Sequence, residues 1–235
     1  MKLSSKNFDI CIVGYGPTGA TLANLIAQCG LSVLVIEREA AMYKLPRAVH
    51  FDGETMRVFQ SLGIGDRLSK KVRVNPGMQF VDQKKSVILD WPRPQEIGDQ
   101  GWHASYRLHQ PDLEHLLREK LSSYANATVM SNTKVVALTE GSGRVEVVCN
   151  RVKDGSEICV NAKYVVGCDG ANSLVRRLIG SDMEDLGFKE KWLVVDLLLK
   201  RERPDLGDHS IQFCDPIRPM TYCRNPENRR RWEIT

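Results

Sequence analysis

The sequence predicts an α/β protein, a Rossmann-like dinucleotide-binding domain with the antiparallel β-sheet of a second domain interleaved into it. Three observations carry this. Branched apolar residues (Ile10, Ile12, Val13) meet Gly14-Tyr15-Gly16-Pro17-Thr18-Gly19, then a helical stretch, then a second apolar run from Val33 to Ile36 closed by Glu37. Residues 72–107 change to short alternating runs broken by Gly, Pro and charged pairs, the pattern of antiparallel strands. A second strand-to-helix junction follows at Cys168-Asp169-Gly170, with small polar residues at the start of the helix.

In the first unit each glycine answers a physical need. Gly14 permits the tight turn off the strand, Gly16 lets backbone approach a pyrophosphate, and Gly19 lets the helix lie close to the sheet. The helix N-terminus, with its unpaired N–H groups and roughly half a positive charge, favours an anion there. Glu37 falls at the spacing where a carboxylate accepts the hydroxyls of an adenosine ribose, and it would repel a 2′-phosphate, so NADP is disfavoured at this position. The pattern by itself does not separate FAD from NAD.

After Glu37 a loop carries Pro46-Arg47-Ala48, extended because of the proline, into a helix spanning Asp52 to Leu62 that stops at Gly63. The runs MQFVD and SVILDW are strands of another layer. The chain returns to a helix at Gln110, with Pro111 in its first turn and Leu113, Leu116, Leu117 and Leu121 on one face. Strands are expected at Thr128–Met130, Thr133–Glu140 and Val145–Arg151, with a turn at Asp154-Gly155 leading to Ile158–Val160. Lys163 to Cys168 reads as a further, buried, parallel-type strand, and LVRRLI as the helix after it, ending at Gly180. From Leu186 onward FKEKWLVVDLLLKRE reads as one long strand, with HSIQFCD and RRRWEIT as further strands of the second sheet, the last of them incomplete. The domain boundaries expected are 1–71 with 108–180 for the nucleotide domain, and 72–107 with 181–235 for the second.

Composition narrows the partners. The net charge is +4 with scattered Lys and Arg, and Arg229-Arg230-Arg231 beside Trp232 reads as a solvated or ion-paired strand edge rather than a nucleic-acid patch. The seven cysteines (Cys11, Cys29, Cys149, Cys159, Cys168, Cys214, Cys223) form no C-x-x-C pair, and buried free thiols in a reducing cytosol are expected for most. MKLSSKNFD lacks a signal-peptide core and no run approaches 18 apolar residues, so a soluble cytoplasmic protein without membrane association is expected. His50, His103 and His109 show no ligand spacing, so no metal is assigned.

Taken together, GYGPTG at 14–19, IER at 36–38, PRAVHFDGETMRVFQSLG at 46–63, YRLHQPDLEHLL at 106–117 and GCDGANSLVRRLIG at 167–180 resemble the single-component FAD-dependent aromatic hydroxylases, closest to the 3-(3-hydroxyphenyl)propionate and phenol hydroxylase branch. The resemblance implies that Gly14, Gly16, Pro17, Thr18 and Gly19 hold the FAD pyrophosphate, with Glu37 and Arg38 at the adenosine. It implies that Arg47 reaches the FAD and reductant region, that Gln110 contacts the flavin side, and that Asp169 and Gly170 support FAD and the docking of NADH or NADPH. The implied chemistry is flavin reduction by NAD(P)H, capture of O₂ as a C4a-hydroperoxide, and oxygen transfer to a phenolic ring. No residue is assigned as catalytic, and a homodimer is left open.

Family members run longer and carry a Gly-Asp motif whose aspartate holds the ribityl chain, and no such segment follows Cys168 here. The resemblance is therefore to an N-terminal portion, expected to bind FAD weakly or not at all and to be of doubtful activity, since one charge-assisted hydrogen bond is worth about 1.5–3 kcal/mol, or roughly 10- to 150-fold in affinity. Two other readings stand beside it. One is a non-catalytic nucleotide-binding or assembly fragment completed by a partner chain. The other is a different flavin oxidoreductase, epoxidase- or halogenase-like, although GWHASY at 101–106 lacks the W-x-W-x-I-P run of halogenases.

Overall fold

The computed structural model describes residues 7–235. In chain order it forms β1 (Asn7–Val13), α1 (Pro17–Gln28), β2 (Val33–Ile36), β3 (His50–Asp52), α2 (Gly53–Ser61), α3 (Gly65–Ser69), β4 (Arg73–Val74), β5 (Gly77–Val81) and β6 (Val87–Pro92). There follow β7 (Ser105–Arg107), α4 (Gln110–Ser122), β8 (Ala127–Met130), β9 (Thr133–Gly141), β10 (Arg144–Arg151), β11 (Glu157–Gly167) and α5 (Leu174–Leu178). The chain ends with β12 (Leu193–Leu198), β13 (Ser210–Phe213), β14 (Met220–Arg224) and β15 (Arg229–Ile234). By backbone proximity it falls into two compact units, the residues up to Lys44 with Glu114–Glu184, and Leu45–Leu113 with Asp185–Thr235. Residues 45–71, grouped in the sequence reading with the nucleotide domain, cluster with the second unit.

The first unit is organised by a six-stranded sheet in the order β8-β2-β1-β11-β10-β9, with β8, β2, β1 and β11 parallel. Every residue of β2 is buried, as expected of a parallel strand covered on both faces. Phe8, Cys11, Val13, Leu34, Ile36, Val147 and Val160 form one side's core. The apolar face predicted for α4 is buried at Leu116, Leu117 and Leu121, and Asn24 of α1 donates from Nδ2 to Leu117 O at 2.9 Å, tying the two helices together.

Two predicted strands are one element here. Residues 157–167 run unbroken as β11, whose first half pairs antiparallel with β10 while its second half pairs parallel with β1. The expectation that Lys163–Cys168 is buried is corrected, because Tyr164 is 69% exposed and Val165 and Val166 only half-buried. The apolar run was thus a guide to pairing rather than to burial.

In the second unit a six-stranded sheet runs β12-β15-β14-β13-β5-β6, and a small one β3-β7-β4. The hairpin of β5 and β6 is antiparallel as expected, but β5 also pairs parallel with β13, so the sheet is mixed. The long strand expected from Leu186 is limited to Leu193–Leu198, and β14 had no clear sequence signal. Phe51 stacks on Tyr106 with centroids 5.3 Å apart and meets Phe59 edge-on, joining the small sheet to α2. The arginine triplet is neither solvated nor at an edge, since β15 lies between β12 and β14 and Arg230 and Arg231 are buried, but it is ion-paired, Arg231 with Asp196 and Arg229 with Glu227.

The cysteines are all free, but only Cys11, Cys149 and Cys223 are buried; Cys29 and Cys214 are exposed and Cys159 and Cys168 lie between, so burial of most of them is corrected. Among the described residues no helix is long and apolar enough to cross a membrane.

Candidate functional site

The glycine turn in the first unit is built so that two glycines are required by the protein itself and the third opens outward. Gly14 has φ +104°, and a Cβ there would lie 2.4 Å from Cys168 O, where the ends of β1 and β11 converge. A Cβ on Gly19 would lie 2.1 Å from Gly14 O, so the first turn of α1 rests directly on the backbone of the loop. At Gly16 a Cβ would meet nothing within 4 Å. Gly16 is the N-cap of α1, Pro17 follows at its first position, no side chain caps this end, and no acid sits in the first turn. The amides that α1 leaves unpaired therefore face open space with their partial positive charge, a cradle suited to a pyrophosphate.

At the end of β2, Glu37 Oε2 accepts the Tyr15 amide at 2.7 Å and Oε1 accepts the Glu39 amide at 2.9 Å. Each carboxylate oxygen keeps a lone pair, so the group can still accept the two hydroxyls of a ribose. Arg38 is exposed and pairs with Glu39 at 3.1 Å. Thr18 is exposed in the first turn of α1.

Arg118 of α4 gave no signal of its own in the sequence, yet it reaches this loop. Its Nη2 donates to Tyr15 O at 2.8 Å and its guanidinium lies 4.2 Å from the Tyr15 ring centroid. An arginine two turns into a leucine-faced helix reads as a solvated position, and only the fold brings it to the fingerprint.

Asp169 and Gly170 follow β11. The Asp169 carboxylate accepts from Ser173 Oγ, from the Leu174 amide at 2.6 Å and from the Val175 amide at 3.2 Å, capping α5. Burial pushes this carboxyl up, but those hydrogen bonds outweigh it and hold it below the usual carboxylate range. Gly170 has φ +84° and open space where a Cβ would be. The second junction thus satisfies its own helix start, whereas the first leaves its helix start open.

In the second unit the structure brings Arg47 and Gln110 together. Gln110, buried at the start of α4, accepts through Oε1 from the Arg47 amide at 3.0 Å and the Ala48 amide at 2.7 Å. It holds the loop of Arg47, a residue that is itself exposed. Of the histidines, His50 lies 2.7 Å from Ser105 Oγ and His109 pairs with Asp112 at 3.1 Å. Among the described residues no group of three or more metal-ligating side chains is assembled.

A βαβ unit with an open glycine turn and an acid at the end of its second strand, in a chain that also builds a mixed second sheet, is the architecture of a dinucleotide-binding α/β protein. The family model described as "FAD binding domain" matches residues 7–223, and the chain belongs to that family, whose members related to it are FAD-dependent aromatic hydroxylases. It is 41% identical over 217 residues to the probable NADH-specific resorcinol 4-hydroxylase of Rhodococcus jostii (strain RHA1), covering 92% of this chain and 40% of that protein. It is 34% identical over 235 residues to the 3-(3-hydroxy-phenyl)propionate/3-hydroxycinnamic acid hydroxylase of Burkholderia cenocepacia (strain HI2424), covering 100% of this chain and 42% of the relative. The chain thus spans about two fifths of the length of these relatives. Among solved structures, the flavin-dependent monooxygenase PieE in complex with FAD and substrate matches with a TM-score of 0.85 at 20% identity, over 98% of this chain and 43% of that one. The p-nitrophenol 4-monooxygenase PnpA from Pseudomonas putida DLL-E4 matches with a TM-score of 0.85 at 20% identity, over 97% and 57%. Both likenesses concern the fold.

Proposed function

We propose that this chain is the FAD-holding part of an NAD(P)H-consuming hydroxylase of small phenols, and that NADH is the reductant. The observation that carries it is the uncapped start of α1 facing open space beside Glu37, whose carboxylate keeps one lone pair on each oxygen. On this reading Gly14, Gly16, Pro17, Thr18 and Gly19 take the pyrophosphate, and Glu37 with Arg38 takes the adenosine. Arg47, Gln110, Asp169 and Gly170 serve the flavin and reductant side. Residues 1–71 and 108–180 serve the cofactor, and 72–107 with 181–235 contribute to the substrate wall. NADH is preferred to NADPH because the relative that is 41% identical is named NADH-specific. The substrate class follows from names shared by the relatives, resorcinol and 3-hydroxyphenylpropionate, both monocyclic phenols with a second substituent in the meta position.

FAD, when bound, supplies the acceptance of hydride and the activation of O₂. The chain's own residues bind and orient. The α1 amides neutralise phosphate charge, Glu37 fixes the ribose by accepting hydrogen bonds, and the buried core beneath the turn keeps the glycines from shifting. The overall balance is phenol, NADH, H⁺ and O₂ to the hydroxylated phenol, NAD⁺ and water.

The test is titration of purified protein with FAD, followed by flavin-fluorescence quenching, and then NADH consumption with resorcinol and O₂. Saturable quenching and resorcinol-dependent NADH oxidation with formation of a hydroxylated product are expected. A chain that quenches no FAD fluorescence at tens of micromolar protein refutes the cofactor assignment, and one that binds FAD but forms product from no meta-substituted phenol refutes the substrate class.

A further inference from the structure

The loop of Arg47 is held from two directions by side chains far away in sequence. Gln110 Oε1 takes the amides of Arg47 and Ala48. Arg231 of β15 takes the carbonyls: its Nη1 donates to Arg47 O at 2.8 Å and its Nη2 donates to Pro46 O. Arg231 is in turn fixed by a two-pronged pair with Asp196 of β12, Nε to Oδ1 and Nη2 to Oδ2, both at 2.9 Å. Its side chain is only 2% exposed.

A buried ion pair is a poor way to hold two strands together, because desolvation offsets most of the attraction and apolar residues of similar volume do as well or better. What Arg231 does that an apolar residue cannot is present two further N–H donors, in a rigid plane, to the backbone of a loop. The loop so held carries an exposed arginine. We propose that Arg231, oriented by Asp196, is a positioning residue: together with Gln110 it fixes the backbone of Arg47, the residue that the cofactor reading assigns to the flavin and reductant side, at both its amide and its carbonyl. This rests on the cofactor reading above, but its structural half stands apart from it.

The two halves are tested separately in one set of proteins: wild type, Arg231→Gln, Arg231→Lys, Asp196→Asn, Arg47→Ala and the double variant Arg47→Ala/Arg231→Gln. Hydrogen exchange at the Arg47 and Ala48 amides, measured without FAD, is expected to quicken at least tenfold in R231Q and D196N. R231K, which keeps charge without the planar fork, should fall between. FAD affinity is expected to fall about tenfold in R231Q and in R47A, with no further fall in the double variant, because Arg231 acts through Arg47. Should R231Q fail to fold, R231K and D196N carry the same comparison. Unchanged exchange at residues 47 and 48 in the Arg231 and Asp196 variants overturns the clamp. FAD losses that multiply in the double variant overturn the action through Arg47. Wild-type protein that takes no FAD, with the exchange result as expected, overturns the cofactor reading and leaves Arg231 as a loop anchor only.

Discussion

The amide of Tyr15 donates to Glu37 Oε2 across 2.7 Å, so the acid that ends β2 also pins the residue between the first two glycines of the turn. Glu37 therefore has two tasks on the proposed reading, shaping the loop and accepting ribose hydroxyls. Glu37→Gln keeps one carbonyl oxygen in place and loses the charge-assisted character of the remaining bonds. FAD affinity is expected to fall about tenfold, with unfolding in urea shifted by no more than about 1 kcal/mol. Glu37→Ala removes both acceptors and should weaken FAD by roughly 100-fold. Fluorescence-quenching titration reads the first effect and a urea midpoint the second; equal affinity for wild type and E37A would remove Glu37 from the cofactor site.

Arg118 reaches the same loop from α4, through its bond to Tyr15 O and its stack on the Tyr15 ring. One hydrogen bond and one partly shielded cation–π contact together are worth about 1–2.5 kcal/mol. Arg118→Ala should lose that much stability and Arg118→Lys about half of it, since lysine keeps the charge but not the flat stack. Urea melts of the three proteins check this, and identical midpoints for wild type and R118A would show the contact to be energetically silent.

What could be read from the sequence divides along the distance between partners. β1, α1 and β2 follow from the spacing of Ile12, Gly14, Gly19 and Val35, all within one supersecondary unit, and α4 follows from leucines on one face. Glu37 was legible for the same reason. Arg231 was not: its partners are 35 and 185 residues away, so a triplet of arginines reads as a solvated or ion-paired strand edge until β12 and the Pro46 loop are placed beside it. The parallel pairing of β5 with β13 likewise joins residues 78 and 210, which no local pattern reports. Asp169 was legible as a junction residue, but not as a cap, because the short helix it serves depends on three bonds that form only when β11 ends where it does.

Asp169 also sets a pH dependence. Its folded-state pKa is depressed, so the bonds it accepts contribute stability that is complete above the ordinary carboxylate range and is lost as pH falls through the folded value. Asp169→Asn should be less stable than wild type at pH 7, and the gap should narrow toward pH 3. Thermal melts at the two pH values decide; a gap that stays constant would mean that the carboxylate charge takes no part.

The buried thiols set the alkaline limit. Burial, helped by a neighbouring thiol, pushes both Cys11 and Cys149 up to about 12. Since the unfolded chain ionises these groups near 8.5 and the folded one does not, stability is complete below that and falls as pH rises toward 12. At pH 8, Ellman's reagent should titrate Cys29 and Cys214 within minutes, and Cys11, Cys149 and Cys223 only after denaturant is added. Rapid modification of Cys11 in the native protein would refute the packing of β1 against its neighbours.

The glycines of the turn separate folding from binding. A methyl group on Gly19 meets Gly14 O at 2.1 Å, a backbone atom that cannot step aside, so Gly19→Ala should destabilise by several kcal/mol and lose FAD as a consequence. A methyl group on Gly16 meets nothing, and its φ of −75° is open to any residue, so Gly16→Ala should cost no more than about 1 kcal/mol, the difference between glycine and alanine at an N-cap. Yet that methyl group would occupy the space in front of the uncapped α1 amides, and FAD affinity is expected to fall by at least about tenfold. Side-by-side melts and FAD titrations of the two variants carry the argument. If G16A bound FAD as wild type does, the open side of the turn would not be where the pyrophosphate lies.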